Sequence, residues 1–259
     1  MIESARSFLF VPGDRPDRFA KAAAAGADVV VLDLEDAVAP GAKDAAREHV
    51  VAWLAEGHAA VVRINAAGTP WHAADLAAVR DAAAVMVPKT ERPEDLDGLS
   101  SVLPLVETAR GVAAATELCA VPTVVRPVFG SIDLVADLGV DPLSRTALLH
   151  ARSALVLAAA AAGCAPPVDG VTTALSDVDA VRDDTRHAVE LGFTGKLCVH
   201  PRQVPVVHEA FRPSEEELAW ARSVLAAGDG VSVVDGRMVD RPVLLRADRL
   251  LGRAGAPLA

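Results

Sequence analysis

Several apolar runs of this chain end on charged residues, of the kinds that hold cations and anions. VVVLDLED ends on Asp33, Glu35 and Asp36, AAVVRIN on Arg63 and Asn65, and AVMVPK on Lys89. VLPLVETARG ends on Glu107 and Arg110, and TVVRPVFGSIDL on Asp133. Glu107 and Asp133 offer hard carboxylate oxygens from adjacent runs, a set that suits Mg²⁺ once water and substrate oxygens fill the remaining octahedral positions. The competing reading makes each carboxylate a cap for the helix behind it. Thr108 and Ser131 stand beside them as adequate caps, which leaves the carboxylates available for a cation.

Asp33, Glu35 and Asp36 crowd together at one strand end, a repulsive arrangement unless a cation lies among them. Strand alternation sends Asp33 and Glu35 to one side and Asp36 to the other. Glu35 and Asp36 are read as orienting water around the metal, with a solvated acidic loop as the alternative. Arg63 is placed to grip a carboxylate or a developing enolate oxygen at two points, or else to pair with the Asp33–Asp36 cluster. Lys89 invites comparison with a Schiff-base lysine, but beside a metal pair its reading is charge balance.

The loop VPGDRPDR joins a Pro12–Gly13 turn to a helix start carrying Arg15, Arg18 and then Lys21, a ready site for an anion. Near the end of the eighth run stand Lys196 and His200, the latter a substrate contact or a structural histidine. Cys119, Cys164 and Cys198 have no C-x-x-C spacing and an odd count, against a disulfide framework and in favour of a reduced, cytoplasmic setting. No G-x-S-x-G signature is present.

Residues scattered this widely in sequence need a scaffold that gathers them. Eight short apolar runs alternate with helical segments, the pattern of βα units around a parallel sheet. They are Ser7–Val11, Val29–Leu32, Ala60–Ile64, Ala84–Val87, Val102–Val106, Thr123–Phe129, Val168–Val171 and Gly195–Val199. At 259 residues they predict a TIM-type (β/α)8 barrel, whose functional residues gather at the C-terminal strand ends. Asp14 with Pro16, Pro40, Pro70 and Ser176 mark helix starts, and Gly26, Gly57 and Gly192 mark stops. Pro142–Gly163 reads as an extra helical insertion before the seventh strand.

The barrel is expected over residues 1–212 and a C-terminal arm over 213–259, covering the barrel mouth or a neighbouring subunit. That arm begins with a helix from Ser214, continues as a hairpin with turns at Asp229–Gly230 and Asp235–Gly236, and ends in a helix over Val243–Gly252. The composition, 52% hydrophobic with 3% aromatic and no tyrosine, suits a core of Val, Leu, Ile and Ala. A net charge of −10 disfavours nucleic acid and anionic membranes. The opening run is too short for a signal segment, and no apolar stretch is long enough to span a bilayer.

RSFLFVPGD, VLDLEDAV, VVRIN, VPK, LVETARG, FGSIDLVADLG and GFTGKLCVHPRQ, in this order, resemble the citrate lyase β-subunit-like family, which includes malyl-CoA and citramalyl-CoA lyases. The resemblance spans nearly the whole chain. It implies a TIM barrel, Mg²⁺, and a CoA thioester of a 3-hydroxy acid that is cleaved or formed with a small 2-oxo acid. It makes Glu107 and Asp133 metal ligands, with Glu107 also touching substrate. Arg63 becomes the substrate contact that stabilises enolate charge, and Glu35 and Asp36 neighbours of the metal waters. DGRMVDRP resembles the family's C-terminal arm, whose aspartate, here Asp240, serves as acid/base in an adjacent subunit, with Asp36 in reserve. A homo-oligomer, trimer or hexamer, follows from that arrangement. Pro12, Gly13, Arg18 and Lys21 are candidate contacts to the anionic substrate. A metal-dependent aldolase using a free 2-oxo acid without CoA, and a non-catalytic CoA-binding or complex subunit, are the alternative functions.

Overall fold

Parallel strands covered on both faces need side chains that are apolar on both faces, and the strand sequences here comply. In the computed structural model, which describes residues 2–228, 231–234 and 236–255, eight strands close into a barrel in sequence order. They are β1 (Ser7–Pro12), β2 (Val29–Asp33), β3 (Val61–Arg63), β4 (Ala84–Val87), β5 (Val102–Val106), β6 (Val128–Phe129), β7 (Val168–Asp169) and β8 (Gly195–Cys198). β8 pairs with β1 to complete the cylinder. Between them run α1 (Phe19–Ala23), α2 (Lys43–Ala55), α3 (His72–Ala78), α4 (Ala109–Ala113), α5 (Ala115–Cys119), α6 (Ser131–Leu138), α7 (Arg145–Ala162) and α8 (Val178–Leu191). The expected (β/α)8 barrel is therefore the fold.

Every strand contributes to one interior cluster that includes Phe8, Val31, Val61, Met86, Leu105, Val128, Val168 and Leu197. Successive strand residues face opposite ways, so the same parity carries the interior forward to Asp33, Arg63 and Glu107 as the strands end. Outside, Phe129, Leu134, Leu148, Leu155 and Phe193 form a second cluster beneath α5 to α8.

Three local expectations need correction. β6 is confined to Val128–Phe129, with only an isolated bridge from Val124 to Val102. Pro127 has no N–H for a ladder, and Arg126 is fully buried, its guanidinium donating to the carbonyls of Ile2, Glu3, Ala5, Pro166 and Pro167 and to Thr194 Oγ1. β7 stops at Asp169, before Gly170, a residue type that weakens a strand and that here packs against Ser131 and Phe129, where an added Cβ would lie 2.6 Å from Ser131 Oγ. Asp177, not Ser176, caps α8 by accepting from Ala180 N.

The chain divides into two compact units, Met1–Val207 and His208–Ala259, with the division falling inside α9 (Gln203–Ala210). The second unit holds α10 (Glu215–Ala226), the antiparallel pair β9 (Ser232–Val234) and β10 (Arg237–Val239), and α11 (Arg241–Gly255). Ser214 and Glu217 form a reciprocal capping box at the start of α10, as the acidic opening of that helix predicts. Ala221, Val224, Val239, Ala247 and Leu250 make its core. Of the two expected hairpin turns, Asp229–Gly230 and Asp235 lie outside the described residues; Gly236 takes φ 73°. No described helix is long and apolar enough to cross a membrane.

Candidate active site

Asp33 and Arg63 are register partners on β2 and β3, and both point into the barrel. Arg63 Nε and Nη2 donate to the two oxygens of Asp33 at 2.7 and 2.6 Å. Asp33 also accepts from the N–H groups of Glu35 and Ala37, so one buried carboxylate fixes both the arginine and the turn that presents Glu35. Arg63 Nη1 lies 2.9 Å from Glu35 Oε2. The pairing with the Asp33–Asp36 cluster is thus realised, and Arg63 still lines the central cavity.

That cavity, about 210 Å³, opens at the C-terminal strand ends and is lined by Asp33, Arg63, Glu107 and Asp133, with Phe10, Leu105, Phe129 and Leu197 among its apolar walls. Glu107 follows β5 in phase with the inward Leu103 and Leu105 and is buried. Thr108 caps α4 by accepting from Gly111 N, which leaves the Glu107 carboxylate uncommitted to the helix. Asp133 sits in the first turn of α6, a helix with no side-chain cap. Ser131, expected as an adequate cap, is instead buried under Gly170.

The electrostatics are acidic. Burial, then the charges of Glu35 and Asp133, pushes Glu107 up to about 8. Burial also raises Glu35, against the pull of Arg63 and Lys89. For Arg63 burial works downward, yet Asp33, Glu35 and Glu107 hold its pKa above the ordinary guanidinium range. Lys89 is likewise held above the ordinary lysine range, burial notwithstanding, by its hydrogen bond to Glu35 and the surrounding carboxyls. Lys89 serves charge balance, with Nζ 2.5 Å from Glu35 Oε1. Asp36 is largely exposed and lies 3.7 Å from the same amine.

The residues present fit a hard dication. Among the described residues no group of three or more His, Cys, Asp or Glu is poised around an ion. Glu107 and Asp133 line one cavity, however, and Mg²⁺ commonly takes one or two protein carboxylates and keeps several waters. Gly130 is shaped to this arrangement, because a Cβ there would overlap the Cβ of Glu107 and lie 2.5 Å from its Oε2. Glu35 Oε2 is buried without a hydrogen-bond partner among the described residues, Arg63 being near it but poorly aligned.

Sequence reasoning passed over the supports behind this site. Lys43 on α2 is buried, donating to the carbonyls of Leu34 and Glu35 and to Asn65 Oδ1. Asp75 on α3 accepts from Asn65 and pairs with Arg47. Arg15, Arg18, Lys21, Arg110, Lys196 and His200 are not among the residues that line the cavity. Arg18 and Lys21 are exposed, and Arg15 pairs with Asp17. Arg110 faces Glu91 at the surface. Lys196 is buried against Asp169 and Gly170, and His200 Nδ1 accepts from Arg202 N. Gly13 is packed tightly against Asp33 and Leu34, its N–H donating to Asp33 O. Asp240 belongs to the second unit, where its Oδ1 accepts from Val243 N at the start of α11.

A closed parallel barrel with carboxylates and an arginine gathered at its C-terminal mouth is an architecture of barrel enzymes. The pattern of the HpcH/HpaI aldolase/citrate lyase family matches residues 6–201, and the chain belongs to that family. A citrate lyase subunit beta-like protein of Mycobacterium tuberculosis is 45% identical over 261 residues, 96% of this chain and 95% of its own. A (3S)-malyl-CoA thioesterase of Cereibacter sphaeroides is 34% identical over 270 residues, 97% of this chain and 95% of its own. The crystal structure of CitE from M. tuberculosis with magnesium, acetoacetate and coenzyme A superimposes with a TM-score of 0.88 at 43% identity, covering 98% of this chain and 100% of that one. A second CitE structure, with magnesium and pyruvate, gives 0.79 at 39% identity, covering 97% of this chain and 100% of that one.

Proposed function

We propose that this chain is a Mg²⁺-dependent carbon–carbon lyase that cleaves or forms a 3-hydroxyacyl-CoA thioester of the malyl-, citramalyl- or citryl-CoA type. The observation that carries the reading is the meeting of Glu107, Asp133 and Arg63 in one cavity. It is supported by relatives crystallised with magnesium, coenzyme A and small oxo acids.

Glu107 and Asp133 would hold the divalent ion. When bound, that ion polarises substrate oxygens and offsets the negative charge of the mouth. Arg63, anchored on Asp33 by two hydrogen bonds, presents fixed positive charge to the thioester enolate left by scission, without reorganising as the charge develops. Phe10, Leu105, Phe129 and Leu197 give the cavity apolar walls. The Asp240 carboxylate carries the proton between the 3-hydroxyl and the enolate carbon, acting in a neighbouring copy of a trimer or hexamer, with Asp36 in reserve. Glu35 and Asp36 orient water beside the ion. Arg18 and Lys21, beyond the Pro12–Gly13 turn, offer positive charge to the CoA phosphates.

A relative named as a malyl-CoA thioesterase favours a second reading, hydrolysis of the same thioester. Product analysis with (3S)-malyl-CoA separates the two. Cleavage yields acetyl-CoA and glyoxylate, whereas hydrolysis yields malate and free CoA. Turnover of malyl-CoA or citramalyl-CoA that is lost in EDTA, restored by Mg²⁺ and absent in Glu107→Gln is the expected result. Turnover of a free 2-oxo acid alone, or metal-independent activity, would overturn the lyase reading.

A further inference from the structure

Among the described residues Lys89 is the one non-glycine with a left-handed backbone, φ 50°. A lysine gains nothing locally from that conformation, so its surroundings must hold it there. The conformation lets one residue serve two carboxylates. Its N–H donates to Glu107 Oε1 at 2.9 Å, and its ammonium reaches Glu35 Oε1 at 2.5 Å. The same Nζ lies 3.7 Å from Asp36 Oδ2 and 3.8 Å from Asp133 Oδ1. A single charge on a flexible stem therefore stands among three carboxyls. One of them, Asp133, is assigned to the metal, and the Lys89 side chain as a whole remains 37% exposed.

We propose that the Lys89 ammonium is the internal counter-cation of the barrel mouth: it neutralises the carboxyls before a divalent ion arrives and competes with that ion for them. The inference rests on the metal-binding reading of Glu107 and Asp133. The mouth gathers Asp33, Glu35, Asp36, Glu107 and Asp133 against Arg63, Lys43 and Lys89, and Arg63 is already engaged by Asp33 and Glu35. Among the described residues Lys89 is the cation within ion-pair distance of Asp133. Two cations drawn to the same oxygens repel one another, and at such separations in a partly buried site the repulsion is large enough to alter ion affinity about tenfold. Lys89 is thus a positioning residue, acting through Glu35, Asp133 and Glu107 and not on substrate.

The test is Mn²⁺ binding by calorimetry to the metal-stripped full-length protein and to Lys89→Met, Lys89→Gly and Lys89→Arg. The glycine variant keeps the N–H to Glu107 and suits the positive φ, so it removes the ammonium without adding strain. The methionine and glycine variants are expected to bind Mn²⁺ about tenfold more tightly than the wild type, and Lys89→Arg to stay within about twofold. The metal-free Tm of Lys89→Met should fall and be restored by excess Mn²⁺. A merely structural lysine would lower the Tm without tightening the ion. Unchanged or weaker Mn²⁺ binding in both neutral variants, with a wild type that binds, overturns the role of Lys89 alone. No binding by any of the proteins overturns the metal reading and this inference with it.

Discussion

Gly130 ends the β6 connection so close to Glu107 that a single added methyl group would overlap the Glu107 Cβ and stand 2.5 Å from its Oε2. The glutamate can aim at the cavity only because its neighbour has no side chain. Gly130→Ala should therefore displace the Glu107 carboxylate, and a shift near 1 Å at a reacting centre costs about 10²-fold in rate. Since the clash falls on the Cβ and not on a flexible end, overpacking should also destabilise the fold by about 1–3 kcal/mol. Steady-state kinetics and thermal melting check both. Full activity in a correctly folded Gly130→Ala would show that the Glu107 position is not critical.

Arg63 makes two aligned hydrogen bonds to Asp33 from a planar fork, which a lysine cannot reproduce. Arg63→Lys should keep the fold but lower kcat about 10²–10³-fold, the scale of losing one preorganised donor to a developing oxyanion. Arg63→Met leaves Asp33 buried without its ion-pair partner, while Glu35 keeps Lys89, and breaking a buried pair in this way costs about 3–5 kcal/mol. Chemical denaturation of the two variants should rank lysine well above methionine in stability.

The pH behaviour follows from Glu107, raised from 4.5 to about 8 chiefly by burial. Below the unfolded value both states carry the proton, and stability is unaffected. Between the two values the unfolded chain has released its proton while the folded chain keeps it, so the folded state binds more protons and loses stability as pH rises. Above about 8 the loss is complete and the curve flattens. In EDTA, Glu107→Gln should remove this slope: close to wild type near the unfolded value, and more stable by a few kcal/mol, on the order of what the shift represents, at the alkaline end. Melting curves across the window that run parallel for the two proteins would contradict the burial of an ionising Glu107.

How far the sequence reveals all this depends on which physical rule each residue obeys. β4 and β5 fall where their apolar runs fall, because strands buried on both faces have no polar residues to blur their ends. Arg63 and Glu107 were visible as the charges ending such runs, and alternation places them inward with Val61 and Leu105. Asp133 is a first-turn helix residue, legible as an acid near β6 but not as part of a strand end. The length of β6 was not legible, because it is set by Arg126 reaching carbonyls on distant segments. Lys43 and Asp75 look like ordinary helix-surface charges; their burial against Asn65 and Leu34 exists only once α2 and α3 pack on the barrel. The roles of Gly130 and the Lys89 backbone are likewise relations between chain segments. A strained lysine has no sequence signature.

Asp240 allows function and stability to be separated in one position. Its Oδ1 accepts from Val243 N, a capping bond at the start of α11, and an asparagine side chain can accept the same bond because Asn is as good a cap as Asp. Asp240→Asn should therefore melt with the wild type, while Asp240→Ala should lose about 1 kcal/mol. If the carboxylate carries the proton in the reaction, both variants lose turnover alike, by about 10²–10⁴-fold, since neither amide nor methyl can accept and return a proton. Mixing Asp240→Asn with Glu107→Gln then gives a further discriminating result. If Asp240 serves a neighbouring subunit, mixed oligomers pair an intact Glu107 with an intact Asp240 and recover part of the activity; if it serves its own chain, no mixture recovers any.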